Sequence, residues 1–149
     1  MEKEKVIAPP DITHRPYHLL VEQEIHLPAE KIYRAWTEQI DSWFAAPGSV
    51  LMKAEVNSPF FWEVDADGER HPHYGRFLQL EQDKLIEHTW VTPATLGRET
   101  VLRLELTPSD DGTFVRLTHS GFPDLDSMKQ HEEAWPEVLN QLEHRIRGH

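Results

Sequence analysis

The 149-residue chain carries 26 Asp and Glu against 15 Lys and Arg, a formal net charge of −11, with 10 His, 5 Trp and no Cys. That length predicts one domain able to bury about 70% of the surface its unfolded chain exposes, and the absence of Cys excludes disulfides, thiolate metal sites and cysteine nucleophiles. The acidic balance weighs against nucleic acid or anionic lipid as partners, no apolar run reaches the roughly 18–20 residues of a membrane span, and Met1 to Lys5 is not followed by the apolar segment of a signal peptide, so a cytoplasmic protein is expected.

Residues 1–16, with Pro9, Pro10 and Pro16 and no apolar period, read as an N-terminal extension, and 17–149 as a single domain. Tyr17 to Leu27 alternates, with Leu19, Val21 and Ile25 on one face, as in a half-buried strand. Pro28 stops that ladder and suits the first turn of a helix. Ile32, Trp36 and Ile40 follow at spacings of four, then Trp43 and Phe44, which predicts two short helices broken near Thr37, a candidate N-cap. A meander comes next: Val50 to Val56, Phe60 to Asp65, an Asp67-Gly68 hairpin turn, His73 to Glu81, and Lys84 to Val91. After a loop at Pro93 to Gly97, Thr100 to Thr107 and Thr113 to His119 place Leu102, Leu104, Leu106, Val115 and Leu117 on inward faces. The period then changes, and Met128, Trp135, Leu139, Leu142 and Ile146 define one face of a long helix, with Asp124 or Asp126 able to cap it. Pro136 either starts the main part of that helix or kinks it.

The order is strand, short helices, about six antiparallel strands, long helix. It predicts an α+β fold in which a curved antiparallel β-sheet is covered on one face by the C-terminal α-helix, with room for a cavity between them.

Several motifs then match a known group. His73-Tyr74-Gly75-Arg76, Leu85 to Trp90 and the run Gly112 to Phe122 resemble the helix-grip superfamily of START domains, the birch-pollen allergen and polyketide cyclases. Leu27-Pro28-Ala29 through Trp36, and Ala134-Trp135-Pro136-Glu137-Val138-Leu139 with Leu142, are most similar to its branch of activators of heat-shock-protein-90 ATPase homologues. The resemblance implies a sheet gripping the terminal helix around an apolar pocket. Its implied functions are binding of a small hydrophobic molecule, cyclisation of polyketides, or stimulation of a chaperone ATPase; fold does not choose among them. Two departures stand out: Ser58-Pro59 and Phe60-Phe61-Trp62 replace a Gly-Gly pair, and Ala134 replaces a Gly.

Helix and strand period explains Trp36, Trp90 and Trp135 as core, since aromatic side chains dominate core energetics. Trp43 and Trp62 are less easily absorbed and are candidates for the mouth and wall of a pocket, beside Phe60. Ile86, His88 and Trp90 share a strand face, as do Val115, Leu117 and His119. Each of the two imidazoles is thus a satisfied core histidine, a polar handle for a ligand, or an acid/base group with Glu63. His71-Pro72-His73 puts two imidazoles on one strand face without a third ligand, and His131-Glu132-Glu133-Ala134-Trp135 has Trp where a zinc helix needs its second His. Neither supports a metal, and no cofactor is expected. Ser120 and His119 are neighbours on a strand and point to opposite faces, so they form no nucleophile pair.

The expected ligand-binding set is therefore Trp43, Phe60, Trp62, His88, Trp90, His119, Trp135 and Leu139. The leading expectation is a monomeric or homodimeric module binding a small hydrophobic molecule, aromatic or acyl. A chaperone-binding protein and a cavity cyclase or hydrolase are the alternatives, and the residues lean away from an enzyme.

Overall fold

A computed structural model describes residues 6–147; the charged Met1 to Lys5 segment lies outside the described residues. The chain runs β1 (Tyr17–Ile25), α1 (Ala29–Thr37), a 3-10 turn (Ile40–Ser42), β2 (Leu51–Met52), β3 (Pro59–Ala66), β4 (Glu69–Glu81) and β5 (Leu85–Trp90). A second 3-10 turn (Pro93–Thr95), β6 (Thr100–Ser109), β7 (Gly112–Phe122) and α2 (Leu125–Arg147) complete it. One seven-stranded antiparallel sheet has the order β1-β7-β6-β5-β4-β3-β2. Among the described residues no helix is long and apolar enough to cross a membrane.

Period-2 patterning sets the inward face. Leu19 and Ile25 on β1, Ile86, His88 and Trp90 on β5, Leu102, Leu104 and Leu106 on β6, and Val115, Leu117 and His119 on β7 are all buried, as their alternation predicts. Pro28 occupies the N-cap of α1, whose buried Ile32, Ala35 and Trp36 form one stripe. Thr37 does not cap the following turn. Its hydroxyl donates to the Tyr33 carbonyl at 2.7 Å and so closes α1 from inside.

The expected strand Val50 to Val56 shrinks to Leu51–Met52. Met52 and Ala54 still pack half-buried against the core while Leu51 is exposed, but the Glu55 N–H turns back onto the Lys53 carbonyl at 2.8 Å, and strand pairing does not continue. β4 is longer than expected at its start. Asp67 and Gly68 both have positive φ, 54° and 77°, which makes the tight hairpin turn that pairs Ala66 with Glu69. β4 shifts register between Phe77 and Gln79, passing from a strand paired mainly with β3 to one paired with β5. Just before this shift, Gly75 admits a close approach of both neighbouring strands: a Cβ there would lie 2.4 Å from the Thr89 carbonyl oxygen and 2.1 Å from the Phe60 ring.

Asp124 caps α2, accepting the Ser127 backbone N–H at 2.8 Å. Pro136 neither starts nor ends the helix but lies inside one continuous element. Its missing N–H leaves one rung of the ladder unmade. Ser127, His131, Trp135, Leu139, Leu142 and Ile146 form the buried stripe of α2. Ahead of β1, Arg15 reaches the Gly121 carbonyl at 2.8 Å and also the Glu99 carbonyl, which ties the preceding segment to the sheet.

Candidate functional site

Four imidazoles are buried between the sheet and α2, and their hydrogen bonds divide them into two pairs. His88 and His119 are completely enclosed. The Trp36 indole N–H donates to His88 Nε2 at 2.9 Å, while His88 Nδ1 donates to the Thr89 carbonyl at 2.8 Å. The Trp135 indole N–H donates to His119 Nδ1 at 3.1 Å. His119 Nε2 donates in turn to Thr100 Oγ1 at 2.7 Å, because that hydroxyl spends its own hydrogen on the Trp90 carbonyl at 2.6 Å. The two rings therefore hold opposite tautomers, and both nitrogens of each are occupied by protein. Burial pushes His88 down to about 4 and His119 well below the ordinary imidazole range, so both are neutral.

His73 and His131 are the other pair. His73 Nδ1 donates to the His71 carbonyl at 3.0 Å, and His131 Nδ1 to the Ser127 carbonyl at 2.7 Å. Neither Nε2 has a protein partner among the described residues. Burial lowers both imidazoles, His73 to about 4.

These two half-satisfied rings lie on the wall of a cavity of about 560 Å³. β3 supplies Val64 and Ala66, the hairpin tip Asp67, β4 His71 and His73, and β5 Trp90. Thr92 to Ala94 closes one side, Phe44 another, and α2 contributes Gln130, His131, Ala134, Trp135 and Val138. The Thr92 turn is fixed by a reciprocal cap with Thr95, and Ser127 of α2 donates to the Ala94 carbonyl at 2.5 Å. Phe44 stacks on Trp90 at 6.1 Å, and Trp90 meets Trp135 at 5.2 Å, so the apolar wall is largely aromatic.

Of the expected ligand-binding residues, the structure places Trp90 and Trp135 on this wall. Trp43, Phe60, Trp62, His88, His119 and Leu139 lie in the core behind it, each under 5% exposed. Trp43 donates its indole N–H to the Ala35 carbonyl at 2.9 Å, and its own carbonyl accepts from Gln141 and Arg145 of α2. Glu63 points toward Arg70, 3.4 Å away, and is not part of the cavity.

Sequence reasoning passed over His73 and His131 as fragments of metal motifs. Two signals could have found them. His73 has the parity of Phe77 along β4, and His131 stands one helical turn before Trp135 on the buried stripe of α2.

A curved antiparallel sheet wrapped on a terminal helix with a side cavity defines a helix-grip protein. The family model described as Activator of Hsp90 ATPase homolog 1-like protein matches residues 26–147, and the chain belongs to that family, within the START and birch-pollen-allergen superfamily. Similar solved structures include a Mesorhizobium loti protein, 27% identical with a TM-score of 0.72, the match covering 89% of this chain and 98% of that one. A Chromobacterium violaceum protein is 24% identical with a TM-score of 0.75, over 87% and 96% of the two chains. An Aeromonas hydrophila protein of the same family name is 18% identical with a TM-score of 0.68, over 89% and 93%. No curated protein matches the chain.

Proposed function

We propose that this chain binds a small hydrophobic molecule, aromatic or acyl, between its sheet and the N-terminal half of α2. The observation that carries this reading is the cavity of about 560 Å³ walled by Phe44, Val64, Trp90, Trp135 and Val138. Pockets that enclose small ligands run from about 300 to 1,000 Å³ and set a few polar groups in an apolar lining. Membership of a family known for holding ligands in such a cavity supports the same reading. The acid/base alternative for His88 and His119 finds no nitrogen free to take or give a proton. The chaperone alternative has no comparable cluster of residues behind it.

Isothermal titration calorimetry against a panel of aromatic and acyl compounds tests the proposal. Ala134 is exposed and stands on the cavity wall, so Ala134→Trp fills the mouth without entering the core. The expected result is saturable binding that weakens at least tenfold in A134W, with unfolding free energy within about 0.5 kcal/mol of wild type. A panel with no binder, or equal affinity in A134W, overturns it.

A further inference from the structure

A ligand that enters this cavity meets two acceptors and no cation. Both His73 and His131 give Nδ1–H to a backbone carbonyl, an atom that only accepts. In the neutral ring the remaining nitrogen, Nε2, then carries a lone pair. Sealed side-chain atoms without a partner among the described residues are the indole nitrogens of Trp62 and Trp90 alone. The two Nε2 atoms lack a protein partner yet are not sealed, so they open onto the cavity that their rings line. Its wall contains no Lys or Arg, and the carboxylate on its rim, Asp67, adds a third acceptor. A carboxylate or phosphate ligand would find no cation there to offset its desolvation and would meet the Asp67 carboxylate at the wall.

A metal ion is the other occupant that two imidazole lone pairs suit. Among the described residues no group of three or more His, Asp and Glu is arranged to hold one.

Resting on the cavity-binding reading, we infer that the ligand is a neutral aromatic molecule whose two hydrogen-bond donors, hydroxyl or N–H, are received by Nε2 of His73 and Nε2 of His131. The aromatic part follows from the stacked Phe44 and Trp90 and the adjoining Trp135, whose faces accept flat rings. The donors follow from the rule that buried polar groups find partners. Burial reinforces the arrangement, since it keeps both rings neutral and therefore accepting.

Calorimetry on the full chain at pH 7 tests this with hydroquinone, 2,6-dihydroxynaphthalene and 4,4′-biphenol, each paired with its dimethyl ether. The ethers keep the rings and lose the donors. At least one diphenol is expected to bind tenfold or more tighter than its ether. His73→Phe and His131→Phe should each weaken that diphenol about tenfold, the size of one buried hydrogen bond, and leave the ether unchanged. Ethers that match their diphenols, or variants that weaken both alike, overturn the inference while the cavity reading stands. If no diphenol and no ether binds, the inference fails, and the cavity reading is decided by the wider aromatic and acyl panel. Should either variant misfold, the wild-type comparison of diphenol with ether still decides.

Discussion

The two halves of α2 face different interiors. From Leu139 onward the helix lies on a packed region, pinned by Gln141 and Arg145 to the Trp43 carbonyl and filled by Leu142 and Ile146. From Gln130 to Val138 it borders the cavity, whose other walls include β3 and β4. Both regions are built from tryptophan and histidine, so residue type does not separate them. Hydrogen-bond saturation does. Behind the cavity wall every nitrogen of His88 and His119 has a protein partner, and these rings act as polar mortar. At the open end His73 and His131 keep one nitrogen each in reserve. A buried histidine is thus structural or available according to its second nitrogen, and burial alone says nothing on the point.

Breaking the packed side should have the largest effect. Trp36→Ala removes a fully buried indole that touches Trp43, His88 and Trp135 and strands His88 Nε2. A loss of about 3–5 kcal/mol in urea unfolding is expected, and a smaller loss would mean the core repacks around it. Acid comes second. His88 has a folded pKa of about 4 against an ordinary 6.5, so the unfolded chain binds its proton first as pH falls. Its contribution is whole above pH 6.5 and is lost on the way down to about 4, costing roughly 3 kcal/mol. His73, His119 and His131 are lowered by burial too and add losses of the same sign, so unfolding curves at pH 7 and pH 4.5 should differ by at least most of that amount, and equal stabilities would break the assignment of neutral buried rings. The smallest effect belongs to Trp62→Phe. The Trp62 N–H is sealed without a partner, a cost of about 1–3 kcal/mol. Deleting it offsets the lost packing, and stability within about 1 kcal/mol of wild type is expected by the same urea titration.

Most of the fold was legible because period-2 and period-4 patterns report burial directly. The inward leucines of β6, the stripe of α2 and the Asp67-Gly68 turn were all visible as spacing. What spacing could not supply was the position of the cavity. Trp43 and Trp62 were expected at its mouth because no helix or strand period absorbed them; tertiary packing absorbed them instead, through Ala35 and through a stack on Phe60 at 4.6 Å. Conversely, His73 and His131 have neighbours in sequence that suggest incomplete metal motifs, which hid their role as wall groups. The difference between the two histidine pairs lies in contacts such as Thr100 to His119, 19 residues apart, and no local pattern encodes those.

The cavity is lined in part by the Asp67 tip of the β3–β4 hairpin, an exposed turn of two residues. Hairpin tips tolerate insertion and exchange because little packs on them. Lengthening or recolouring this tip changes the width and charge of the aperture while every residue that holds the helix stays as it is. The same architecture can therefore be refitted to a new guest by altering a few exposed positions, which separates the inheritance of the grip from the inheritance of the taste.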